Sequence, residues 1–306
     1  MTIKIIFNCL LIMCMAPVVT TPMALAAGIV FSLLFGNPWP RESTIVSQML
    51  LKVSVVGLGF GLSIQEVWLV GKDSAGYTII GIVVTTGVGL ILGRMLHLKG
   101  NTAALISCGT AICGGSAIAA MAPVLRAEDD EIAVSLATIF SLNAVALLLF
   151  PLIGNLAGLS QHQFGYWAGM AIHDTSSVVG AAASYGAEAL HTGTTVKLTR
   201  AAWIAPIAMV TGLWLRSEQK AKFPLFIAGF VIAAILHSLL PQFSGLWEAL
   251  STIARQCLVI TLFLVGCGLS RNVLKRIGPR PLLHGVTLWV FVSLLTLAGI
   301  IQGLIK

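Results

Sequence analysis

The feature that most constrains this chain is a glycine-rich stretch inside a long apolar segment. From Gly109 to Ala120 the residues are Gly-Thr-Ala-Ile-Cys-Gly-Gly-Ser-Ala-Ile-Ala-Ala. Each glycine costs a helix interior about 1 kcal/mol, and irregular backbone at membrane depth persists only inside protein or beside a watery cavity. The stretch therefore predicts a discontinuous transmembrane helix. The alternative is a continuous helix that uses its small residues as a packing face.

Composition places the chain in a membrane. Of its 306 residues, 57% are hydrophobic and 9% are charged, whereas soluble domains are about 25% charged. The mean hydropathy is +0.97. The net charge of +7 does not indicate a nucleic-acid partner, because the basic residues fall between apolar segments, where they set membrane orientation. The six cysteines lie in apolar segments without zinc-ligand spacing, and we interpret them as small buried hydrophobes.

Apolar segments recur along the whole chain and predict an all-α transmembrane helix bundle with about ten or eleven spans. A crossing helix needs about 20 residues, and the candidate segments are 3–19, 22–36, 43–63, 75–93, 101–125, 131–157, 163–184, 194–215, 223–241, 249–270 and 281–304. Residues 3–19 fit an uncleaved first span, which we favour, or a signal peptide. We expect one integral membrane transporter domain over residues 1–306, with approximate halves 20–158 and 163–304.

Basic residues predict the orientation in the membrane. With a cytoplasmic N-terminus, the inner loops hold most of them, namely Lys4, Arg41, Arg94, Lys99, Arg216, Lys220, Lys222, Arg271, Lys275, Arg276 and Arg280. The positive-inside rule then places the N-terminus in the cytoplasm and the C-terminus outside.

Two pairs of segments resemble each other within the chain. Residues 43–50 and 251–258 have similar sequences, and the same two segments end alike at Gly59–Ser63 and Gly266–Ser270. As the third and tenth segments they would cross in opposite directions, which is typical of an inverted repeat. A shorter similarity relates Gly169–Val178 to the glycine-rich stretch at an offset of 60 residues. We assign the symmetry to the longer pair and interpret the shorter one as two similar linings of one cavity.

Ionisable residues inside spans are costly and suggest function. Asp174 is flanked by polar residues, His173 on one side and Thr175, Ser176 and Ser177 on the other. It suits a coupling site for a proton or cation, or a polar lining of a substrate path. The alternative is a buried carboxylate that pairs with an Arg or Lys to fix helix packing. Asn143 is expected to form a structural hydrogen bond between helices.

Cations occur at two further places. Lys197 and Arg200 are three residues apart and share a helix face, where they suit an anionic ligand or act as headgroup anchors at the membrane surface. Lys52 and Arg255 lie one in each of the repeat-related spans. Each is a candidate partner for Asp174 or a lining of an anion path.

Three motifs, taken in order along the chain, resemble those of the YeiH-like family of bacterial inner-membrane proteins. They are Gly109–Ala117, Ile172-His173-Asp174 and Val196-Lys197-Leu198-Thr199-Arg200. The family is labelled as sulfate exporters, and the similarity covers nearly the whole chain. It implies a multi-pass inner-membrane carrier related to inverted-repeat folds with crossed, broken helices, such as sodium–proton antiporters and bile-acid transporters.

The leading functional hypothesis is a secondary transporter, an exporter of a small anion such as sulfate or a related oxyanion. Asp174 would couple transport to a proton or sodium ion, and Lys52 and Arg255 are further intramembrane charges. The predicted substrate-binding residues are Gly109, Thr110, Cys113, Gly114, Gly115, Ser116, His173, Thr175, Ser176, Lys197 and Arg200.

Two other classes of function remain open. One is a channel-like or ligand- or lipid-binding membrane protein without coupled transport, and a weaker one is an intramembrane enzyme that uses Asp174 and His173 as an acid–base pair. The sequence has no Walker loop, nucleophile elbow or H-E-x-x-H motif. We therefore expect no catalysis, cofactor or metal. A homo-oligomer is possible on sequence grounds.

Overall fold

A computed structural model describes residues 2–16, 18–19, 21–98, 100–214, 225–268 and 278–305. Several of the basic residues that predict the orientation lie outside these ranges, namely Lys99, Arg216, Lys220, Lys222, Arg271, Lys275 and Arg276.

The described residues are almost entirely helical, and no strand occurs among them. The α-helices, in chain order, are α1 (Thr2–Met13), α2 (Thr21–Phe35), α3 (Pro40–Gly59), α4 (Ile64–Met95), α5 (Thr102–Ala111), α6 (Gly115–Leu125), α7 (Asp129–Leu156), α8 (Gln161–Ala171), α9 (Thr175–Tyr185), α10 (Ala187–Ala202), α11 (Ile204–Trp214), α12 (Leu225–Leu239), α13 (Ser244–Cys267) and α14 (Pro279–Ile301). A 3-10 turn, Pro241–Phe243, precedes α13. The predicted all-α fold is confirmed.

Four helical segments among the described residues are each long and apolar enough to cross a bilayer. They are Ile64–Met95, Asp130–Leu156, Pro241–Cys267 and Pro279–Ile301. Two predicted spans, 101–125 and 163–184, are instead each built from two short helices in succession, α5 with α6 and α8 with α9. Breaking a span in this way is tolerated in membranes where the freed backbone is enclosed by protein.

Large apolar side chains face outwards on the long helices. Val83 on α4, Leu156 on α7 and Leu294 on α14 are 67%, 88% and 60% exposed. Extended apolar surfaces of this kind are rare on soluble monomers. A lipid environment accommodates them.

The chain forms two compact units. Unit 1 comprises Met1–Leu69 and Leu225–Val273, and unit 2 comprises Val70–Pro224 and Leu274–Lys306. Each unit draws on both of the predicted halves, 20–158 and 163–304, and the division into those halves stays a prediction.

Unit 1 is held together by an apolar core and by close helix contacts. Phe7 of α1 packs its ring against Phe31 of α2 and Phe263 of α13, with ring centroids 5.7 and 5.5 Å apart. The repeat-related helices α3 and α13 lie side by side. A Cβ atom on Gly57 would lie 2.5 Å from Cβ of Ala254, and one on Gly61 would lie 2.6 Å from Oγ of Ser251. The contact moves back along α13, from Ala254 to Ser251, as the chain runs forward from Gly57 in α3 to Gly61 just after it, so the two helices are antiparallel, as predicted.

Equivalent glycines of the repeat make equivalent contacts in unit 1. A Cβ atom on Gly59 of α3 would lie 2.5 Å from the carbonyl oxygen of Phe230 in α12. One on Gly266 of α13 would lie 2.6 Å from the carbonyl oxygen of Leu25 in α2. Each repeat-related helix therefore packs a glycine onto the backbone of the helix that precedes its counterpart. This exchange of contacts is what a two-fold relation between the repeats requires.

In unit 2, α7 contacts α5, α6 and α9, while α8 packs against α10 and α14. The acidic run before α7 forms the first turn predicted from the sequence. Glu128 is the N-cap residue, and its backbone N–H donates to Oε2 of Glu131 at 2.9 Å, as in a capping box.

Candidate functional site

The glycine-rich stretch is a helix break, as predicted. Helix α5 ends at Ala111, Ile112 leaves the helical region with φ −118° and ψ −87°, and α6 begins at Gly115. Gly114, which precedes α6, has a φ of +65°. Side chains with a Cβ atom rarely adopt this left-handed conformation. The alternative of a continuous packing helix is therefore wrong.

The shorter internal similarity marks a second break with the same pattern. Helix α8 ends at Ala171, and α9 begins at Thr175 after an extended Ile172 with φ −81° and ψ 133°. Both boundaries lie 60 residues after the equivalent boundaries of the first break, Ala111 and Gly115. The shorter sequence similarity, with its offset of 60 residues, therefore relates two broken helices of the same construction.

The two breaks lie against each other and against α7. A Cβ atom on Gly114 would lie 3.4 Å from Cα of Asp174 and 3.3 Å from Cγ2 of Ile139 on α7. One turn further along α7, Oδ1 of Asn143 accepts a hydrogen bond from the backbone N–H of Asp174 at 3.2 Å. The predicted bond from Asn143 across helices is confirmed.

Glycines allow α10 to reach both breaks. A Cβ atom on Gly165 of α8 would lie 2.7 Å from Cβ of Thr192, and one on Gly169 would lie 2.8 Å from Cγ1 of Val196. The later glycine of α8 meets the later residue of α10, so the two helices run parallel and close together. The later residues of α10 therefore lie level with the C-terminal end of α8.

At that level, Arg200 binds the ends of both broken helices. Its Nε donates to the carbonyl oxygen of Ala111 at 2.5 Å, and Nη2 donates to that of Thr110 at 3.3 Å. Its Nη1 donates to the carbonyl oxygen of Met170 in α8. The last carbonyls of a helix lack partners within the helix and carry partial negative charge, so a guanidinium is well matched to them.

Lys197 completes the same arrangement one turn earlier. Its Nζ donates to the carbonyl oxygen of Ile172 at 2.6 Å. Lys197 and Arg200 are both fully buried. The headgroup-anchor alternative for these two residues is wrong, because both cations point into the protein and bind backbone carbonyls there. The shared helix face predicted for them is confirmed.

Asp174 caps the N-terminus of α9. Its Oδ2 accepts from the backbone N–H of Ser176 at 3.0 Å and from the hydroxyl of the same residue. Asp174 is half-buried. A carboxylate is favoured here because the first N–H groups of a helix are unpaired and carry partial positive charge. By contrast, Gly114 provides no side-chain cap for α6.

Several polar side chains around the breaks are buried without a hydrogen-bond partner in the described part of the chain. Both ring nitrogens of His173 are in this state. The same holds for Nδ2 of Asn143 and for the hydroxyls of Thr110 and Thr194. All four residues are at most 3% exposed. Buried polar groups are normally paired, so these groups are candidates for contact with a ligand or water.

The other predicted site residues lie as follows. Gly109 packs against Ile118 and Ile139, and Cys113, Thr175 and Ser176 are buried. Gly115 faces the ring of Phe140, and Ser116 is exposed. Lys52 and Arg255 are exposed residues of α3 and α13 in unit 1, and their pairing with Asp174 stays a prediction.

Sequence reasoning missed the carbonyl oxygens of Thr110, Ala111, Met170 and Ile172 as the partners of the two cations. Every residue has a carbonyl, so no residue type could have indicated them. It predicted a hydrogen bond between helices for Asn143 but did not identify its partner, the backbone N–H of Asp174. Among the described residues no group of three or more His, Cys, Asp or Glu side chains is arranged to hold a metal ion.

Comparisons with known proteins agree with this architecture. A family model described as Conserved hypothetical protein 698 matches residues 6–285. The UPF0324 membrane protein GSU2818 of Geobacter sulfurreducens is 58% identical over 96% of this chain and 95% of that relative.

More distant relatives are similar over most of their length. A UPF0324 membrane protein of Bacteroides thetaiotaomicron is 50% identical over 92% of this chain and 86% of the relative. The UPF0324 membrane protein Bd1437 of Bdellovibrio bacteriovorus is 46% identical over 98% and 94%. No solved structure matches the chain. Because the family model covers residues 6–285 and the similar relatives are named as membrane proteins, the chain belongs to the family of Conserved hypothetical protein 698, the UPF0324 membrane proteins, which fits the predicted YeiH-like family.

Proposed function

We propose that this protein is a secondary transporter that exports a small anion, sulfate or a related oxyanion, across the bacterial inner membrane. The observation that carries the proposal is the meeting of two broken helices in unit 2, at Gly114 and Asp174. Paired half-helices that expose their termini at the membrane midplane are the usual construction of secondary-transporter sites.

The electrostatics of the breaks favour an anion. Lys197 and Arg200 satisfy the carbonyl ends of α5 and α8, which removes the partial negative charge that would repel an anion. Gly114 has no side chain that could cap α6, so the N–H groups of Gly115 and Ser116 are left to bind a ligand, while that of Ala117 bonds to the Cys113 sulfur. Helix N-termini bind anions through such N–H groups and through the positive end of the helix dipole.

Asp174 supplies the coupling in this proposal. Its carboxylate lies beside Gly114, and a bound anion at α6 would repel it. Binding a proton or a sodium ion at Asp174 would remove that repulsion, so anion and cation would bind together. The ion gradient would then drive anion movement, since coupling requires that each ligand changes the affinity for the other.

The orientation in the membrane and the absence of catalysis are proposed from the sequence. The N-terminus lies in the cytoplasm and the C-terminus outside, because the basic loops are retained on the cytoplasmic side. The protein performs no chemical reaction and needs no cofactor.

Flux measurements test the proposal. Purified protein is reconstituted in liposomes, and uptake of labelled sulfate, thiosulfate and short carboxylates is measured with and without an imposed pH or sodium gradient. Accumulation above the external concentration that collapses when the gradient is dissipated is the expected result. Flux that no gradient can drive uphill would indicate a channel-like protein, and binding without flux would indicate a ligand- or lipid-binding protein.

A further inference from the structure

Asn143 uses only half of its carboxamide. Its Oδ1 accepts the bond from the backbone N–H of Asp174, while Nδ2 is buried without a partner in the described part of the chain. The residue is 3% exposed. The bond to Oδ1 also settles which end of the amide is the nitrogen, because only oxygen accepts from an N–H. Leaving a buried NH₂ group unpaired is costly, so the native protein is expected to provide it with an acceptor.

The free NH₂ group is on α7, one turn beyond the residue that packs against the start of α6. Gly114, which precedes that helix, packs against Ile139, one turn before Asn143 on α7. Gly114 also packs against Asp174, the residue that Asn143 binds. The helix is 11 residues long, long enough for a substantial dipole. The unpaired side-chain donor of Asn143 and the first turn of α6 thus belong to neighbouring parts of unit 2.

The chemistry of this place selects the ligand. N–H groups only donate, so they require an acceptor and repel cations. The Oδ1 atom of Asn143, which a cation could use, already accepts from the N–H of Asp174, so the free atom of this carboxamide is a donor. The two nearby cations, Lys197 and Arg200, are bound to carbonyl oxygens. The donors that remain for a ligand are neutral, namely the NH₂ group of Asn143 and backbone N–H groups of α6.

We propose that Asn143 is a direct ligand of the anion, and that its Nδ2 and the first N–H groups of α6 bind one oxyanion beside Asp174. This assignment rests on the proposed function and identifies the side chain that recognises the substrate. His173, in the second break, and Thr110, in the last turn of α5, also have buried polar atoms without a partner in the described part of the chain. Coordination by neutral donors is suited to an oxyanion that has shed its water.

The test compares two substitutions on the same helix. Asn143→Asp keeps the oxygen that accepts from the Asp174 N–H but replaces the NH₂ donor with a second oxygen. Asn155→Asp introduces the same charge at an exposed position of α7. Sulfate affinity is measured by isothermal titration calorimetry on purified protein, and the KM for labelled sulfate is measured in liposomes.

We expect Asn143→Asp to weaken sulfate binding and to raise the KM by at least about tenfold, the usual effect of losing one hydrogen bond to a charged group. Asn155→Asp should match the wild type. A wild-type sulfate affinity in Asn143→Asp would overturn the assignment and would leave Asn143 with a structural role only. If Asn143→Asp is not monodisperse, Asn143→Leu, which has a similar size and no hydrogen-bond donor, replaces it under the same criterion.

The two proposals fail in different ways. If the wild type binds and transports none of the oxyanions, the proposed function fails and the assignment of Asn143 fails with it. If the wild type transports sulfate against its concentration gradient and Asn143→Asp does so with an unchanged KM, only the assignment of Asn143 fails.

Discussion

Arg200 donates a hydrogen bond from Nε to the carbonyl oxygen of Ala111, at 2.5 Å, at the residue where α5 ends. The same guanidinium donates to the carbonyl oxygen of Met170 near the end of α8. One buried cation therefore holds the C-terminal ends of both broken helices. A planar guanidinium with several fixed donors can do this, whereas an ammonium group is a single point of charge.

Replacing Arg200 should destabilise unit 2 strongly. Arg200→Met leaves the carbonyls of Thr110, Ala111 and Met170 without their donor, and we expect a loss of at least about 1–3 kcal/mol, the cost of leaving a buried acceptor unpaired. Arg200→Lys should lose less, because one donor can be retained. Thermal or denaturant unfolding in detergent measures the difference. Arg94→Met, at an exposed arginine of α4, is the control, and an equal loss there would show that the buried bonds contribute nothing special.

Removing the charge of Asp174 should abolish coupling to the ion gradient and leave the fold intact. Asp174→Asn keeps an oxygen that can accept from the N–H of Ser176, so the cap of α9 and membrane insertion should persist. Under the proposed function, sulfate flux in liposomes should no longer respond to a pH gradient. Asp73→Asn, at an exposed carboxylate of α4, should respond as the wild type does. Gradient-driven accumulation by Asp174→Asn at the wild-type rate would remove this residue from the mechanism.

The glycines of the first break should differ in their tolerance of substitution. Gly114 has a left-handed φ of +65° and packs against Asp174 and Ile139, so Gly114→Ala should cost about 1–2 kcal/mol from backbone strain. Gly115→Ala should cost less, since the nearest atom to its Cβ would be the movable ring edge of Phe140 at 3.0 Å. Unfolding measurements on the two purified variants compare these costs.

Larger side chains at the same glycines should block the proposed transport. Gly114→Leu and Gly115→Leu should each abolish sulfate flux in liposomes while the protein still inserts into the membrane. Gly87→Leu serves as the control, because a Cβ atom on Gly87 would meet nothing within 4 Å. Normal flux in both break variants would mean that the stretch is only a packing surface.

Substitution of the equivalent glycines of unit 1 should have similar effects on stability. Gly59→Ala and Gly266→Ala each place a methyl group about as close to a backbone carbonyl, at 2.5 and 2.6 Å, so both should destabilise by a similar amount, about 1–3 kcal/mol. Gly76→Ala, where a Cβ atom would meet nothing within 4 Å, should be neutral or stabilising by up to about 1 kcal/mol. Melting temperatures of the three variants in one detergent test this, and clearly unequal losses at Gly59 and Gly266 would contradict the two-fold relation.

Much of the helix arrangement was predictable from local signals. Apolar length marked the spans, because a lipid-embedded backbone must satisfy its hydrogen bonds within a helix. The paired glycines at Gly114 and Gly115 marked the first break, and the acidic run at Glu128 marked the start of α7. The second break was not predicted, because Asp174 was interpreted as a coupling site and not as the N-cap residue of a new helix.

The sequence by itself determined that this protein lies in a membrane, is all-helical and breaks at least one span, since each of these follows from apolar length and local backbone preference. Only the tertiary structure decided that the two breaks meet, that Lys197 and Arg200 bind the ends of broken helices, and that Asn143 binds Asp174. These relations join residues tens of positions apart, and most of the acceptors are backbone carbonyls. A carbonyl is present at every residue, and only folding selects the few that a buried cation can reach.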